Sequence, residues 1–306
     1  MARLAREAKE ILFSGSMDME EMNEVLDLYR DLYPITEKAP KPKGKLLPPG
    51  KEEASMRLRE GFTLLDPEDL IPSDKYLVKK AREILEVLRL HSEGKESDPL
   101  SPNFLEDKGL FTRMVKTYLE DGEEKLRNEI GSDPSVNPEL TLFVVFNTVK
   151  GSFREAGLGL EGVDTREWEH GLCPVCGGTP AVAYMEGEGG KRFLICHRCE
   201  TRWHFARVMC PFCGNGEHDN LGFFTVEGGQ DNLRVDFCDK CKGYIKTWDV
   251  REYENPHPEV EDLLTARYDL AAEGEGYRRG APNIFGIWVG FDLDSEQDES
   301  QNEGQN

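Results

Sequence analysis

The sequence has no cysteine left over. All eight fall into four CxxC pairs, Cys173 and Cys176, Cys196 and Cys199, Cys210 and Cys213, Cys238 and Cys241. It also lacks a long apolar run: the longest, LTLFVVF at 140–146, falls far short of the roughly twenty residues that cross a bilayer, so no membrane insertion is expected. The start, MARLAREAKEILF, has no basic stretch followed by an unbroken apolar one, which argues against a secretory signal and for a reducing, cytoplasmic location. Basic residues are scarce beside acidic ones, 38 against 59, and a net charge of −21 sets the molecule against phosphate backbones, so no nucleic-acid partner is expected. GxSxG, HExxH, a P-loop and a GxGxxG opening a helix are all missing, and the chain is not expected to be an enzyme.

What is present is concentrated in the cysteines. In a reducing compartment, paired thiols at this spacing serve metals more often than disulfides. A thioredoxin-type couple would need one CxxC beside a βαβ pattern, and no such pattern is visible. A CxxC turn aims both sulfurs at one point, and two such turns complete a tetrahedral S4 site. Eight sulfurs therefore imply two metal ions. Sequential pairing assigns Cys173, Cys176, Cys196 and Cys199 to site one and Cys210, Cys213, Cys238 and Cys241 to site two. An interleaved pairing, first with third and second with fourth, stays open. Sequential pairing is the more economical, because AVAYM, EGEGG and KRFLI, then LGFFTV, EGGQDN and LRVDF, read as two hairpins that each return their own two knuckles to one end. Four thiolates suit zinc and mononuclear iron alike, so the metal is Fe or Zn. His197, inside the second CxxC, is not needed as a ligand with four thiols at hand.

The expected class is α+β and multidomain: a helical N-terminal domain, tandem rubredoxin-like or zinc-ribbon β modules, and a C-terminal helix. Residues 3–13 and 19–33 read as amphipathic helices, 37–51 as a Pro-, Lys- and Gly-rich linker, and 74–90 as a helix behind the N-cap candidate Ser73. A further helix is expected over 104–130. Another begins after Pro138, apolar all round at its start and hence central. The helical domain spans 1–160, the metal modules 165–205 and 206–252, and the C-terminal extension 253–290 with one helix over 257–274. The acidic end, 291–306, reads as disordered.

WEHGLCPVCGGTP at 168–180, RFLICHRCETRWHFARVMCPFCGN at 192–215 and FCDKCKGYIKTWD at 237–249 resemble the formate dehydrogenase accessory protein family, often written FdhE. The detailed likeness covers about 80 residues (168–249) and extends loosely to EGYRRGAPNIFG at 275–286. It implies a non-catalytic cytoplasmic maturation factor, chaperone-like, with the formate dehydrogenase catalytic subunit as partner and the eight cysteines as metal ligands. Arg202 stands where the family often has an acidic residue, and the acidic tail is not a family feature. Candidate partner-binding residues are Trp203, His204 and Arg207, between the two metal sets, and Tyr244 and Lys246, just past the last knuckle. Structural readings stand beside them: Trp203 as a lid over the sulfurs of site one, Tyr244 and Lys246 as part of a strand closing the ribbon. Between Lys191 and Cys213 five basic residues face Glu200 alone, a local basic patch. Two other functions fit the same spacing, a rubredoxin-like electron carrier and a zinc-ribbon nucleic-acid or protein adaptor.

Overall fold

The structure is a computed structural model, and it describes residues 19–36, 50–91, 105, 109–131, 136–160, 162–251, 258–283 and 286. The helix expected over 3–13, most of the linker expected over 37–51 and the acidic tail lie outside the described residues.

Helices fill the N-terminal part: α1 Met19–Thr36, α2 Lys51–Arg59, α3 Asp74–Leu90, α4 Leu110–Glu120, α5 Glu123–Ile130 and α6 Pro138–Gly159. In α3, Leu77, Ala81, Ile84 and Leu85 recur at helical spacing and are buried, while Asp74 and Arg89 complement the two ends of the helix dipole. The single helix expected over 104–130 is two. The break falls at Gly122, whose φ of 92° L-residues with a Cβ rarely adopt. α6 is the axis of the domain. Asn137 caps it, accepting a hydrogen bond from Leu140 N at 3.0 Å, and Pro138 occupies its first turn. Every residue from Thr141 to Gly151 is buried. Two of its polar side chains donate back into the helix, Asn147 to Phe143 O at 2.9 Å and Thr148 to Val144 O at 2.7 Å, and the buried Lys150 reaches Glu200 at 3.6 Å. Each fully buried Val, Leu or Phe on it stabilises by about 1.5–3 kcal/mol, which makes α6 the anchor against which the rest is assembled.

The remainder is one sheet of seven strands: β1 Pro180–Glu186, β2 Lys191–Cys196, β3 Arg202–His204, β4 Leu221–Phe224, β5 Leu233–Cys238, β6 Gly243–Asp249 and the short β7 Arg278–Arg279. The order β3-β2-β1-β6-β5-β4 joins the two hairpins through a parallel pairing, Val182 opposite Lys246 and Tyr184 opposite Trp248. The alternating side chains give the sheet two different faces. On one, Ala183, Leu194, Trp203 and Ile245 enter the core of the helical domain. On the other, Val182, Tyr184, Tyr244 and Trp248 pack beneath α7 Pro258–Leu264 and α8 Ala266–Gly274, with Tyr268 and Ala272 in contact. The sequence suggests one C-terminal helix, but it is interrupted at Thr265. There the Lys246 ammonium draws on the carbonyls of Asp262 at 2.8 Å and Thr265 at 3.5 Å.

Candidate metal centres

Each site is assembled from two knuckles at the ends of one hairpin. In the first knuckle Cys173 N donates to Gly178 O at 2.8 Å and Gly177 N returns to Cys173 O at 2.9 Å. The third repeats this, Cys210 N to Asn215 O at 2.8 Å and Gly214 N to Cys210 O at 3.0 Å. The residue after the second cysteine of each pair has positive φ: Gly177 at 72°, Glu200 at 59°, Gly214 at 70° and Lys242 at 56°. The turn demands the left-handed conformation whichever residue fills it.

The sulfurs converge in the sequential sets. In site one Cys173 and Cys199 stand 3.5 Å apart, Cys176 and Cys196 3.6 Å, and Cys176 and Cys199 3.5 Å. In site two Cys210 and Cys241 are 3.7 Å apart and Cys213 and Cys238 3.8 Å. A metal–sulfur bond of about 2.3 Å implies a tetrahedron with edges of about 3.8 Å, whereas a disulfide is about 2.05 Å long. Both sets therefore have the separation of a shared ion, and each can hold one. Backbone N–H groups point at the sulfurs, from Val175 to Cys173, Arg198 to Cys196 and Gly243 to Cys241, each at 3.4 Å. Such donors offset thiolate charge and tune the ligands. As bare thiols, burial pushes Cys173 and Cys199 up, and hydrogen bonds from the neighbouring thiols pull Cys176 down. A divalent cation would supply the positive charge that four buried thiolates need.

The two sites differ in their surroundings. Site one is buried at all four cysteines and tied to the helical domain. Leu64 N and Leu65 N donate to Pro174 O and Val175 O at 2.8 and 2.9 Å. Glu200 meets Arg154 at 3.0 Å, Arg198 lies over the Tyr118 ring, and His197 stacks on Phe146. Gly157 of α6 comes so close that a Cβ there would sit 2.5 Å from Cys199 O. His197 Nδ1 is 2.8 Å from Thr179 O, and its buried ring is held near a pKa of about 4 by desolvation. Site two, by contrast, exposes Cys213 and Cys241.

Two family models match in succession, the FdhE central domain over residues 172–207 and the FdhE C-terminal domain over 208–285. This part of the chain belongs to the FdhE family. The FdhE homologue of Aquifex aeolicus is 36% identical over 122 residues, 39% of this chain and 43% of that protein. That of Pseudomonas aeruginosa is 33% identical over 137 residues, 42% and 43% of the two chains. The matched region thus spans about two-fifths of the length of these relatives. A crystal structure of the FdhE protein from Pseudomonas aeruginosa superposes with a TM-score of 0.52 over 87% of both chains at 19% identity. The shared fold is the one described above, N-terminal helices, a sheet and C-terminal helices, and in this chain the sheet carries two four-cysteine clusters.

Of the candidate partner-binding residues, only His204 and Arg207 are exposed. Trp203 is buried in the core and donates Nε1 to His170 O at 3.2 Å. Tyr244 and Lys246 are interior as well, so none of these three offers a surface to a partner. The basic patch is largely consumed: Arg192 is buried, Arg198 covers Tyr118, and Arg202 pairs with Glu186 at 2.7 Å. Sequence reading misses the buried charge network that holds Lys246. Its ammonium lies 2.8 Å from Asp262 and 2.7 Å from Asp269, and Arg279 bridges the same two carboxylates at 2.7 and 2.9 Å. Tyr244 OH donates to Asp269 at 2.8 Å. The Y-x-K is visible in sequence, but nothing local to it points to these distant partners.

Proposed function

We propose that this chain is a non-catalytic accessory protein for formate dehydrogenase maturation. It captures the immature catalytic subunit in the cytoplasm, on a platform built from two four-cysteine metal sites. The observation that carries this reading is the succession of FdhE central and C-terminal domains over residues 172–285, with all eight cysteines inside it. Cys173, Cys176, Cys196 and Cys199 would hold one ion and Cys210, Cys213, Cys238 and Cys241 the other, zinc or iron. A bound ion supplies a cross-link worth about 10 kcal/mol to folding. The chain's own contribution is rigidity. The continuous sheet and the contacts of Glu200, Arg198 and Gly157 with the helical domain keep His204 and Arg207 in a fixed relation to both sites.

The test is capture and rescue. Tagged chain should retain a formate dehydrogenase catalytic subunit and restore formate oxidation to a host lacking its own factor, and Cys173→Ser or Cys238→Ser should lose one ion and both effects. A variant that has lost its metal yet still captures the subunit and restores activity overturns the reading. The surface position of Cys213 and Cys241 favours one rival, electron transfer through an iron at site two. A zinc-only protein that supports maturation excludes that rival.

A further inference from the structure

The helical domain covers only part of the sheet face it packs on. By strand register Phe223, Arg234 and Asp236 share that face with Ile245, yet they lie outside the helical core. Beside them passes the segment 207–212 that leads into site two, and the two enclose a groove of about 460 Å³. Phe223 at its rim is 60% exposed.

The charge of the groove is opposite to that of the molecule. Arg192, Arg207, Arg234 and His218 line it against one carboxylate, Asp236, in a chain of net charge −21. That carboxylate is already engaged, 2.7 Å from Arg234 Nε and accepting from Thr247 Oγ1 at 2.8 Å. Arg192, only 3% exposed, donates Nη1 to Met209 O at 3.1 Å. Its Nε and Nη2, the two donors that grip a carboxylate side-on, have no hydrogen-bond partner among the described residues, and Asp236 Oδ2 stands 3.7 Å from Nη2. Leaving buried donors of a charged group unmatched costs more than the roughly 1–3 kcal/mol of a neutral one, so the site favours an added anion. The Arg234 guanidinium carbon stands over the Phe223 ring, 4.6 Å from its centroid, which holds a second cation at the rim.

The geometry points to this groove as the docking site for a short acidic segment of a partner polypeptide, with one carboxylate entering the Arg192 fork and neighbouring apolar side chains resting on Phe212 and Phe223. An extended peptide fits better than a phosphate compound. The described lining offers aromatic walls and the edge strand β4, whose outer backbone groups can pair with another strand. This deepens the maturation reading and rests on it: the acidic segment would belong to the client subunit.

The experiment is a fluorescence-anisotropy titration of the metal-loaded chain with a short labelled peptide alternating Glu and Leu, with its Gln counterpart, and with inorganic phosphate as competitor. The Glu peptide should bind at least about tenfold tighter than the Gln peptide, as expected when a charge pair is formed in a desolvated groove. Arg207→Glu with Phe223→Ser, both on the surface, should remove at least about tenfold of the affinity. Arg192→Lys keeps the charge but loses the fork and should weaken binding similarly. If that buried change unfolds the chain, the surface pair alone decides. Equal binding of the two peptides, no binding of either, or displacement by millimolar phosphate overturns the proposal. If the unaltered chain fails to capture a formate dehydrogenase subunit, the maturation reading falls. If it captures one and the surface pair captures it equally, only the groove falls.

Discussion

Glycines next to sulfur do what no other residue can do there. A Cβ on Gly178 would lie 2.8 Å from Cys196 Sγ and 3.4 Å from Cys176 Sγ, inside the space the site-one ion and its ligands need. Gly178→Ala is therefore expected to bind one metal per chain where the parent binds two, with site two intact. Elemental analysis of the purified variant checks it, and an unchanged stoichiometry would show that the knuckle can yield. At the four left-handed turn positions Gly177 and Gly214 carry their own sign, since glycine is the residue that adopts positive φ without a steric cost. Glu200 and Lys242 do not, because a charged residue with positive φ carries no local sign of it. Only the hydrogen bond from Glu200 N to Cys196 O, 3.1 Å, shows the turn being made there.

Among the elements, β6 and the helix pair α7–α8 are joined by buried charge as well as by apolar packing. Lys246 and Arg279 face Asp262 and Asp269 in the interior, two cations and two anions in balance. Removing one member strands its partners in a low-dielectric interior, at a cost of about 3–5 kcal/mol. Lys246→Met should therefore lower the urea midpoint markedly and red-shift emission from Trp248, which is buried on the same face. The network also sets an acid limit. Burial would raise the Asp262 carboxyl, but Arg279 and Lys246 outweigh it and hold it below its ordinary value. A depressed folded value means that the stabilisation is complete above the unfolded carboxylate value of about 3.9 and is lost as the pH falls through the folded one. The difference in urea midpoint between the parent and Lys246→Met should therefore hold from neutrality down to about pH 4 and shrink only below it. The sequence pattern marked 257–274 as helical from Val260, Leu263, Leu264 and Tyr268, but its interruption at Thr265 depends on a lysine nearly twenty residues earlier.

For the whole molecule the two sites are unequal. Site one is sealed and clamped between the helical domain and the sheet, while site two opens to solvent at Cys213 and Cys241. A chelator challenge of the zinc-loaded chain should release metal in two phases of equal amplitude. The fast phase should coincide with alkylation of Cys213 and Cys241 by mass spectrometry and leave helicity unchanged. The slow phase, from site one, should be accompanied by loosening of the N-terminal helices. A single phase at both sites would contradict the asymmetry.

Spacing, with a hairpin between each two CxxC turns, favoured pairing the cysteines in chain order and left an interleaved pairing open, and the sulfur positions decided for chain order. The α+β order of helices, ribbons and C-terminal helix followed equally from local periodicity. Which site is buried, how the two ribbons merge through β1 and β6, and why Trp203, Tyr244 and Lys246 are interior while an arginine-lined groove stays open were decided by tertiary packing. The physical reason is the range of the interactions. Turn chemistry and side-chain alternation act over a few residues and are written in sequence order. Charge pairing joins Lys246 and Arg279 to Asp269, burial brings Gly157 against Cys199, and both exist only once the chain has folded around them.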